Sequence, residues 1–211
     1  MIFKDRKHAG QELARRLTKY AGVKDAVVIG LPRGGVVVAY EVAEALSLPL
    51  DIIVTRKIGA EGNREYAIGA ITEDGDAVWD ESERSAADPG YLEKALTEER
   101  AEAQRRVGEY RGGHPPLTLV GETALIVDDG VATGFTMRAA IGSARKKGAA
   151  RVVVAVPHGA AESLRMLEQE ADEVIAIDRP EWYGSVGEFY QDFPQIEDEE
   201  VKALLVAARR P

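Results

Sequence analysis

The feature that most constrains the fold is a series of short apolar segments, rich in valine and isoleucine, that alternate with amphipathic helical patterns. Short continuous apolar runs of this kind are typical of strands buried on both faces of a sheet. The predicted strands cover residues 26–31, 50–56, 123–127, 152–156 and 174–177. Because strands that alternate with helices form parallel sheets, the sequence predicts an α/β fold with a central, mostly parallel sheet and helices on both faces.

Helical patterns lie between these strands and at both ends of the chain. The predicted helices cover residues 6–20, 36–47, 89–111, 136–147, 160–170 and 198–208. Asp5 and Asp88 stand where helix N-caps are expected, and an Asp74–Gly75 turn predicts a hairpin over residues 67–79. We also predict a short strand over Leu117 to Val120. Residues 1–211 are therefore interpreted as one domain in which residues 88–113 are a helical insertion.

The composition restricts the class of function. The chain has no cysteine, which excludes a disulfide scaffold, a thiolate metal site and a cysteine nucleophile. The formal net charge of −9 argues against a nucleic-acid partner, because sequence-independent binding needs clustered cations. The apolar runs are far shorter than the ~18 residues of a membrane span, so no membrane partner is expected. We expect a cytoplasmic enzyme or small-ligand binder.

The most informative segment for function is ALIVDDGVATGFTM, from Ala124 to Met137. A buried strand leads to two carboxylates, Asp128 and Asp129, and then to a turn of small residues before a helix. Free N–H groups at a helix N-terminus bind phosphate, whereas carboxylates accept hydrogen bonds from neutral hydroxyls. A ribose 5-phosphate contains both a phosphate and neutral hydroxyls, so it matches both parts of the segment. The candidate phosphate-binding residues are Gly130, Val131, Ala132, Thr133, Gly134, Phe135 and Thr136.

Two other phosphate motifs do not fit this segment. A Walker loop needs a lysine after its second glycine, and the dinucleotide fingerprint needs the spacing G-x-G-x-x-G. Neither is present in the segment. The string ALIVDDGVATGFT does resemble the thirteen-residue motif with which type I phosphoribosyltransferases bind 5-phosphoribosyl 1-pyrophosphate (PRPP). The resemblance extends over most of the chain but leaves the helix over residues 89–111 without a counterpart.

The resemblance implies an activity and a cofactor. A type I phosphoribosyltransferase transfers the ribose 5-phosphate of PRPP to a nitrogenous base and releases pyrophosphate. Asp128 and Asp129 would be the catalytic residues, and Mg²⁺ would bridge pyrophosphate and ribose oxygens with few protein ligands. The three histidines show no metal-ligand spacing, so we predict no metal-binding side chains. A homo-oligomer, a dimer in particular, is expected.

Two further loops are candidates for binding pyrophosphate. LPRGG places Arg33, Gly34 and Gly35 after the first strand, and in the family this loop binds pyrophosphate, often through an unusual peptide conformation. Arg56 and Lys57 follow the second strand. The resemblance implies that residues 56–65 form a mobile loop that closes over the site, with hinges at flexible residues such as Gly59.

The acceptor side of the site is assigned from aromatic residues near the C-terminus. Residues 178–211 are interpreted as a C-terminal hood and tail, and five of the 13 aromatic residues lie between Trp182 and Phe193. Trp182 and Tyr183 are candidates to stack on a base, although a hydrophobic cluster or a subunit contact is an equal alternative. His158 either faces the base or caps the next helix. Ala132 stands where oxopurine enzymes carry an acid, so the base stays unassigned. The alternative function is a non-catalytic regulator that binds PRPP or a nucleotide.

Overall fold

The computed structural model describes residues 1–208, apart from the side chain of Glu65. Its elements, in chain order, are α1 (Arg6–Arg16), β1 (Ala26–Gly30), α2 (Gly34–Leu46), β2 (Leu50–Ile52), β3 (Thr55–Ala60), β4 (Asn63–Thr72), β5 (Ala77–Trp79), α3 (Glu81–Ala86), α4 (Pro89–Arg111), β6 (Thr123–Val127), α5 (Phe135–Lys146), β7 (Arg151–His158), α6 (Ala161–Glu170), β8 (Glu173–Asp178) and α7 (Asp198–Ala208). Short 3₁₀ helices cover Thr18–Tyr20 and Val186–Phe189. The last three residues of the predicted tail lie outside the described residues.

The central sheet confirms the predicted fold class. Its five strands are all parallel and lie in the order β2-β1-β6-β7-β8, with β6 in the middle. Side chains alternate between two cores. Val28 and Leu125 pack with residues of α1, α2 and α7, whereas Ile29 and Ile126 pack with residues of α5 and α6. Both faces of the sheet are therefore covered by helices.

Local signals mark the starts of α1 and α4 and the end of α4 as predicted, whereas α1 ends at Arg16 rather than at Tyr20. Asp5 accepts a hydrogen bond from the N–H of His8 at 2.7 Å, and Asp88 accepts one from Tyr91 at 2.9 Å. Gly112 ends α4 with a φ of +56°, a left-handed conformation that glycine adopts without a steric penalty. Within residues 1–208, no helix has the length and the hydropathy required to cross a membrane.

Residues 56–65, predicted as a loop, form regular structure instead, whereas their mobility and closure over a ligand stay a prediction. This segment is a β-hairpin, because β3 and β4 pair in antiparallel register and β5 adds a third strand. Ile58, Ile68 and Ile71 are buried against Ala95 of α4. The helix α4, which the sequence resemblance left unassigned, thus anchors the hairpin. The sequence did not reveal this contact, because the two segments are far apart along the chain.

Two strand predictions also need correction. The strand predicted over residues 50–56 is divided between two sheets, since β2 belongs to the parallel sheet and β3 to the hairpin. No strand covers Leu117 to Val120, where Val120 forms one isolated bridge to Ala149. Leu119 is nevertheless fully buried and donates its N–H to the carbonyl of Lys147 at 2.9 Å. Leu119 is therefore apolar because it packs at the end of α5, and not because it belongs to a strand.

Candidate active site

A cavity of about 530 Å³ lies at the carboxyl edge of the central sheet. The loops that follow β1 and β6 form its floor, and β3 contributes Arg56 and Lys57. One wall is formed by α4 and another by Val186 of the hood. The lining residues from α4 are Tyr91, Ala95, Glu98, Glu99 and Arg106. Ligands of open α/β sheets bind at this edge, so the fold positions the predicted motif where a ligand would lie.

The loop between β6 and α5 has the form of an anion cradle. Its carbonyls are anchored, because Ala160 donates its N–H to Val131 at 2.8 Å and Ser163 Oγ donates to the carbonyl of Ala132 at 2.5 Å. Gly134 has a φ of +83° and precedes the first residue of α5. Among residues 1–208, no backbone carbonyl accepts a hydrogen bond from the N–H groups of residues 132–136. These N–H groups and the helix dipole favour a bound anion.

The two carboxylates of the motif have different surroundings. Asp129 Oδ2 accepts a hydrogen bond from Arg6 Nε at 2.7 Å, in a pair that is nearly buried. Asp128 Oδ1 accepts the N–H of Asp129 at 2.9 Å. Burial, followed by the neighbouring charge of Asp129, raises the pKa of Asp128 well above its usual value. Asp129 is therefore paired with a cation, whereas Asp128 is buried beside a carboxylate of like charge.

Gly34 and Gly35 make room for these acids. A Cβ at Gly34 would overlap Oδ2 of Asp129, and a Cβ at Gly35 would lie 2.5 Å from Oδ1 of Asp128. From the sequence, these glycines are expected to allow the approach of a ligand, whereas the structure shows that they also admit the two carboxylates. The peptide bond between Pro32 and Arg33 is cis.

Two arginines of the cavity are paired with acids that no sequence motif identified. Arg56 Nε lies 2.8 Å from Glu99, and Arg64 lies 3.0 Å from Glu98. Both acids belong to α4. Lys57 has no carboxylate within 4 Å among the described residues. The acids of α4 thus supply counter-charges to the two arginines of residues 56–65.

Arg33, in the loop that follows β1, faces the start of α7. Its Nη1 lies 3.4 Å from Glu197 and 3.9 Å from Asp198. The arginine remains partly exposed, with 26% of its side chain accessible. A ligand with a larger negative charge than a carboxylate could therefore displace Glu197 and Asp198 from Arg33.

The candidate base-binding residues do not line the cavity. Trp182 is 93% exposed, which leaves it at the surface. Tyr183 and His158 lie behind the loop at Gly130, where Tyr183 Oη and His158 Nδ1 are 2.8 Å apart. His158 stacks on Phe189 with ring centroids 4.4 Å apart. This arrangement corresponds to the hydrophobic cluster that the sequence left as an alternative.

Several residues of the site could not be identified from the sequence. Arg6, Tyr91, Glu98, Glu99 and Val186 lie in segments without a recognisable motif. The one available signal was that α4 carries consecutive acids, Glu98 and Glu99, on a helix with an apolar stripe. Nothing in the sequence around Arg6 distinguished it from the other charged residues near the N-terminus.

We expect His158 to make the fold sensitive to acid. Burial lowers its pKa to about 4, below the usual 6.5, so the folded chain keeps the ring neutral. As the pH falls below 6.5, the unfolded chain gains a proton that the folded chain accepts only near pH 4. This difference removes up to about 3 kcal/mol of stability. In urea unfolding, His158→Gln should therefore lose less stability than wild type between pH 7 and pH 4.

The matched control for this prediction is His114→Gln, which changes an exposed histidine in a loop. This variant should lose as much stability between pH 7 and pH 4 as wild type. An equal loss in His158→Gln would show that folding does not lower the pKa of His158.

Comparison with known proteins identifies a family and similar structures. The sequence model of the phosphoribosyl transferase domain matches residues 2–194. A protein of Mycobacterium tuberculosis H37Rv, provisionally named a phosphoribosyl transferase, is 43% identical over 99% of this chain. The match covers 47% of that protein, so the chain spans about half the length of the curated relatives it matches.

Two solved structures are similar to this fold. The crystal structure of TT1426 from Thermus thermophilus is 43% identical, with a TM-score of 0.81 over 98% of this chain and 99% of the other. The AQ2163 protein from Aquifex aeolicus is 14% identical, with a TM-score of 0.52 over 86% of this chain and 76% of the other. The second likeness concerns the fold alone.

Proposed function

Because the chain belongs to the phosphoribosyl transferase domain family, we propose that its cavity binds PRPP and transfers the ribose 5-phosphate group to a nitrogenous base. The observation that carries the proposal is that one cavity combines three kinds of group. N–H groups without a backbone acceptor, two adjacent carboxylates and several cations all line this cavity of about 530 Å³. PRPP contains a phosphate, ribose hydroxyls and a pyrophosphate, which match these groups in chemistry.

The 5-phosphate would lie in the cradle formed by residues 130–136. The N–H groups of residues 132–136 and the hydroxyls of Thr133 and Thr136 are the donors in this proposal. Hydrogen bonds to a charged phosphate contribute on the order of 1.5–3 kcal/mol each. The cradle would therefore provide a large part of the affinity for any ribose 5-phosphate ligand.

The ribose would lie against Asp128 and Asp129, whose carboxylate oxygens accept hydrogen bonds from its 2- and 3-hydroxyls. The hydroxyls are neutral, so the acids do not repel this part of the ligand. As the bond from C1 to pyrophosphate breaks, positive charge develops on the ribose ring. Nearby carboxylates would stabilise that charge, and catalysis would depend mainly on positioning and electrostatics.

The pyrophosphate would occupy the side of the cavity that contains Arg33, Arg56 and Lys57. Gly34 and Gly35 allow the backbone to approach the ligand there. Arg33 and Arg56 would exchange their carboxylate partners for phosphate oxygens when the ligand binds. The leaving group gains negative charge during the reaction, so these cations would also favour its departure.

The donor set of the cavity fits a Mg²⁺ ion that is held mostly by the substrate. Oxygen donors from acids line the cavity, but within the described residues no three side chains of the Asp, Glu, His or Cys type form a metal cluster. Mg²⁺ retains water and substrate oxygens as ligands in such sites. When bound, it would neutralise part of the pyrophosphate charge.

The acceptor would enter beside Val131, Ala132 and Val186, between the cradle and the hood. In this arrangement Tyr183 and His158 support the loop at Gly130 from behind, rather than stacking on the base. We make no assignment of the base, since Ala132 supplies no acid at the position where oxopurine enzymes carry one.

The test of the proposed function is a panel of nitrogenous bases incubated with Mg·PRPP and the protein. Mass spectrometry should detect one nucleoside monophosphate together with stoichiometric pyrophosphate. Binding of PRPP without any product across the panel would favour the alternative, a non-catalytic regulator. Absence of PRPP binding would contradict the proposed function and would leave only a regulator that binds a nucleotide.

We expect Glu99→Gln to bind pyrophosphate more tightly than wild type. Glu99 lies 2.8 Å from Arg56 and competes with the ligand for its charge, whereas glutamine preserves the shape but not the charge. Removing this competition should raise the affinity for Mg·pyrophosphate by about three- to tenfold, because a partly exposed pair contributes on the order of 1 kcal/mol. Isothermal titration calorimetry measures the change.

The control for this change is Glu98→Gln. Glu98 pairs with Arg64, and both side chains are more exposed than those of Arg56 and Glu99. The effect of Glu98→Gln should therefore be smaller. Unchanged or weaker pyrophosphate binding in Glu99→Gln would show that Arg56 does not bind this ligand.

A further inference from the structure

We infer that Arg6, on the N-terminal helix, is a positioning residue that fixes the carboxylate of Asp129 for the ribose. The inference rests on the proposed function, since it concerns the same site. Arg6 Nε donates to Asp129 Oδ2 at 2.7 Å. The arginine side chain is 8% exposed and the aspartate side chain is 14% exposed. A pair so little exposed is screened weakly by solvent and holds its geometry better than a surface pair.

The guanidinium group of Arg6 is itself held on two further sides. Its Nη1 donates to the carbonyl of Pro194 at 2.7 Å, and its Cζ lies 3.7 Å from the centre of the Phe193 ring. The planar group is therefore clamped by the hood and cannot rotate without losing these contacts. The hood thus fixes Arg6, and Arg6 in turn fixes the orientation of the Asp129 carboxylate.

The backbone of Asp129 is fixed from the same side. Tyr190 Oη donates to the carbonyl of Asp129 at 2.5 Å. Gly34 leaves the space that Oδ2 of Asp129 occupies. Within residues 1–208, Oδ2 is committed to Arg6, and Oδ1 receives no hydrogen bond from a protein donor. Oδ1 is consequently the oxygen that can accept a bond from a ribose hydroxyl.

Arg6 also provides the positive charge that the two acids need. Asp128 and Asp129 are adjacent, and the charge of Lys57, on β3, offsets only part of the rise in the pKa of Asp128 that burial and Asp129 cause. Two nearby carboxylates repel each other in a poorly solvated site. Without Arg6, Asp129 would lose both its orientation and its closest opposite charge.

The experiment compares two ligands in Arg6→Met, Arg6→Lys, Asp129→Asn and the double variant Arg6→Met with Asp129→Asn. Calorimetry measures the affinities for ribose 5-phosphate and for inorganic phosphate. Arg6→Met should weaken ribose 5-phosphate binding at least tenfold and phosphate binding less than twofold, because the cradle does not contact Arg6. Arg6→Lys should recover part of the loss. The double variant should bind ribose 5-phosphate no more weakly than Asp129→Asn alone.

The outcomes separate this inference from the proposed function. Equal weakening of both ligands in Arg6→Met, or additive losses in the double variant, would show that Arg6 has only a general structural role. Unchanged ribose 5-phosphate binding in Arg6→Met would overturn the inference and leave the proposed function intact. If wild type binds ribose 5-phosphate no better than phosphate, the proposed function fails together with the inference. If Arg6→Met does not fold, the test is the comparison of the double variant with Asp129→Asn, because the double variant has no unpaired carboxylate at position 129. Weaker ribose 5-phosphate binding in the double variant than in Asp129→Asn would then overturn the inference.

Discussion

Asp129→Asn should weaken ribose 5-phosphate binding by about thirtyfold or more, because a charge-assisted hydrogen bond contributes on the order of 2 kcal/mol. The amide cannot provide the negative charge that favours the ribose transition state, so turnover with an authentic base should fall further than affinity. Adding Asp128→Asn should reduce turnover still more. Calorimetry measures the affinity, and pyrophosphate release measures the turnover.

The same substitution should also lower the free energy of unfolding. Asp129 balances the buried guanidinium of Arg6, and breaking a buried ion pair costs about 3–5 kcal/mol. Binding must therefore be measured well below the unfolding temperature of the variant. Asp25→Asn is the matched control, since it removes the same charge from an exposed position at the amino end of β1. Wild-type affinity in Asp129→Asn would contradict the assignment of this acid to the ribose.

Gly34→Ala should abolish most ligand binding through a single methyl group. The new Cβ would overlap Asp129 Oδ2 and lie 2.7 Å from Arg6 Nε, so the ion pair must move. We expect a loss of about 1–3 kcal/mol in unfolding free energy, as for other overpacked sites. The affinity for ribose 5-phosphate should fall more than tenfold, because Asp129 would no longer face the ribose. Chemical denaturation and calorimetry give the two values.

Gly142→Ala is the control for Gly34→Ala. Gly142 lies within α5, and an added Cβ would meet no heavy atom within 4 Å. Alanine should stabilise the helix there by about 0.5–1 kcal/mol and leave ligand affinity unchanged. If Gly34→Ala behaves like Gly142→Ala, the close approach of Asp129 to this glycine has no functional consequence.

The sequence predicted the parts of the fold that depend on local patterns. Continuous apolar runs indicated the strands of the parallel sheet, and Asp88 and Gly112 marked the two ends of α4. The motif at Asp128 to Thr136 was recognisable because the proposed phosphate cradle is built from consecutive residues. Such features are encoded by spacing and can be read without knowledge of tertiary contacts.

The errors concern features that depend on contacts between distant segments. The hairpin over residues 55–72 was predicted in part as a loop, because its packing against Ala95 of α4 is not visible in the local sequence. The apolar character of Leu119 predicted a strand, but this residue is buried by packing against α5. Arg6 and Asp129 are 123 residues apart, so no local pattern joins them. The counter-charges Glu98 and Glu99 were missed for the same reason.

A single cavity is proposed to bind the phosphate, the ribose and the pyrophosphate of one ligand. The most direct test is calorimetric titration of the protein with Mg·PRPP, with ribose 5-phosphate and with Mg·pyrophosphate under identical conditions. If both fragments bind in one cavity, linking them should raise the affinity for Mg·PRPP by about a hundredfold or more over either fragment. Each fragment should also displace PRPP. An affinity for Mg·PRPP no higher than that for ribose 5-phosphate would contradict a shared cavity for the two fragments.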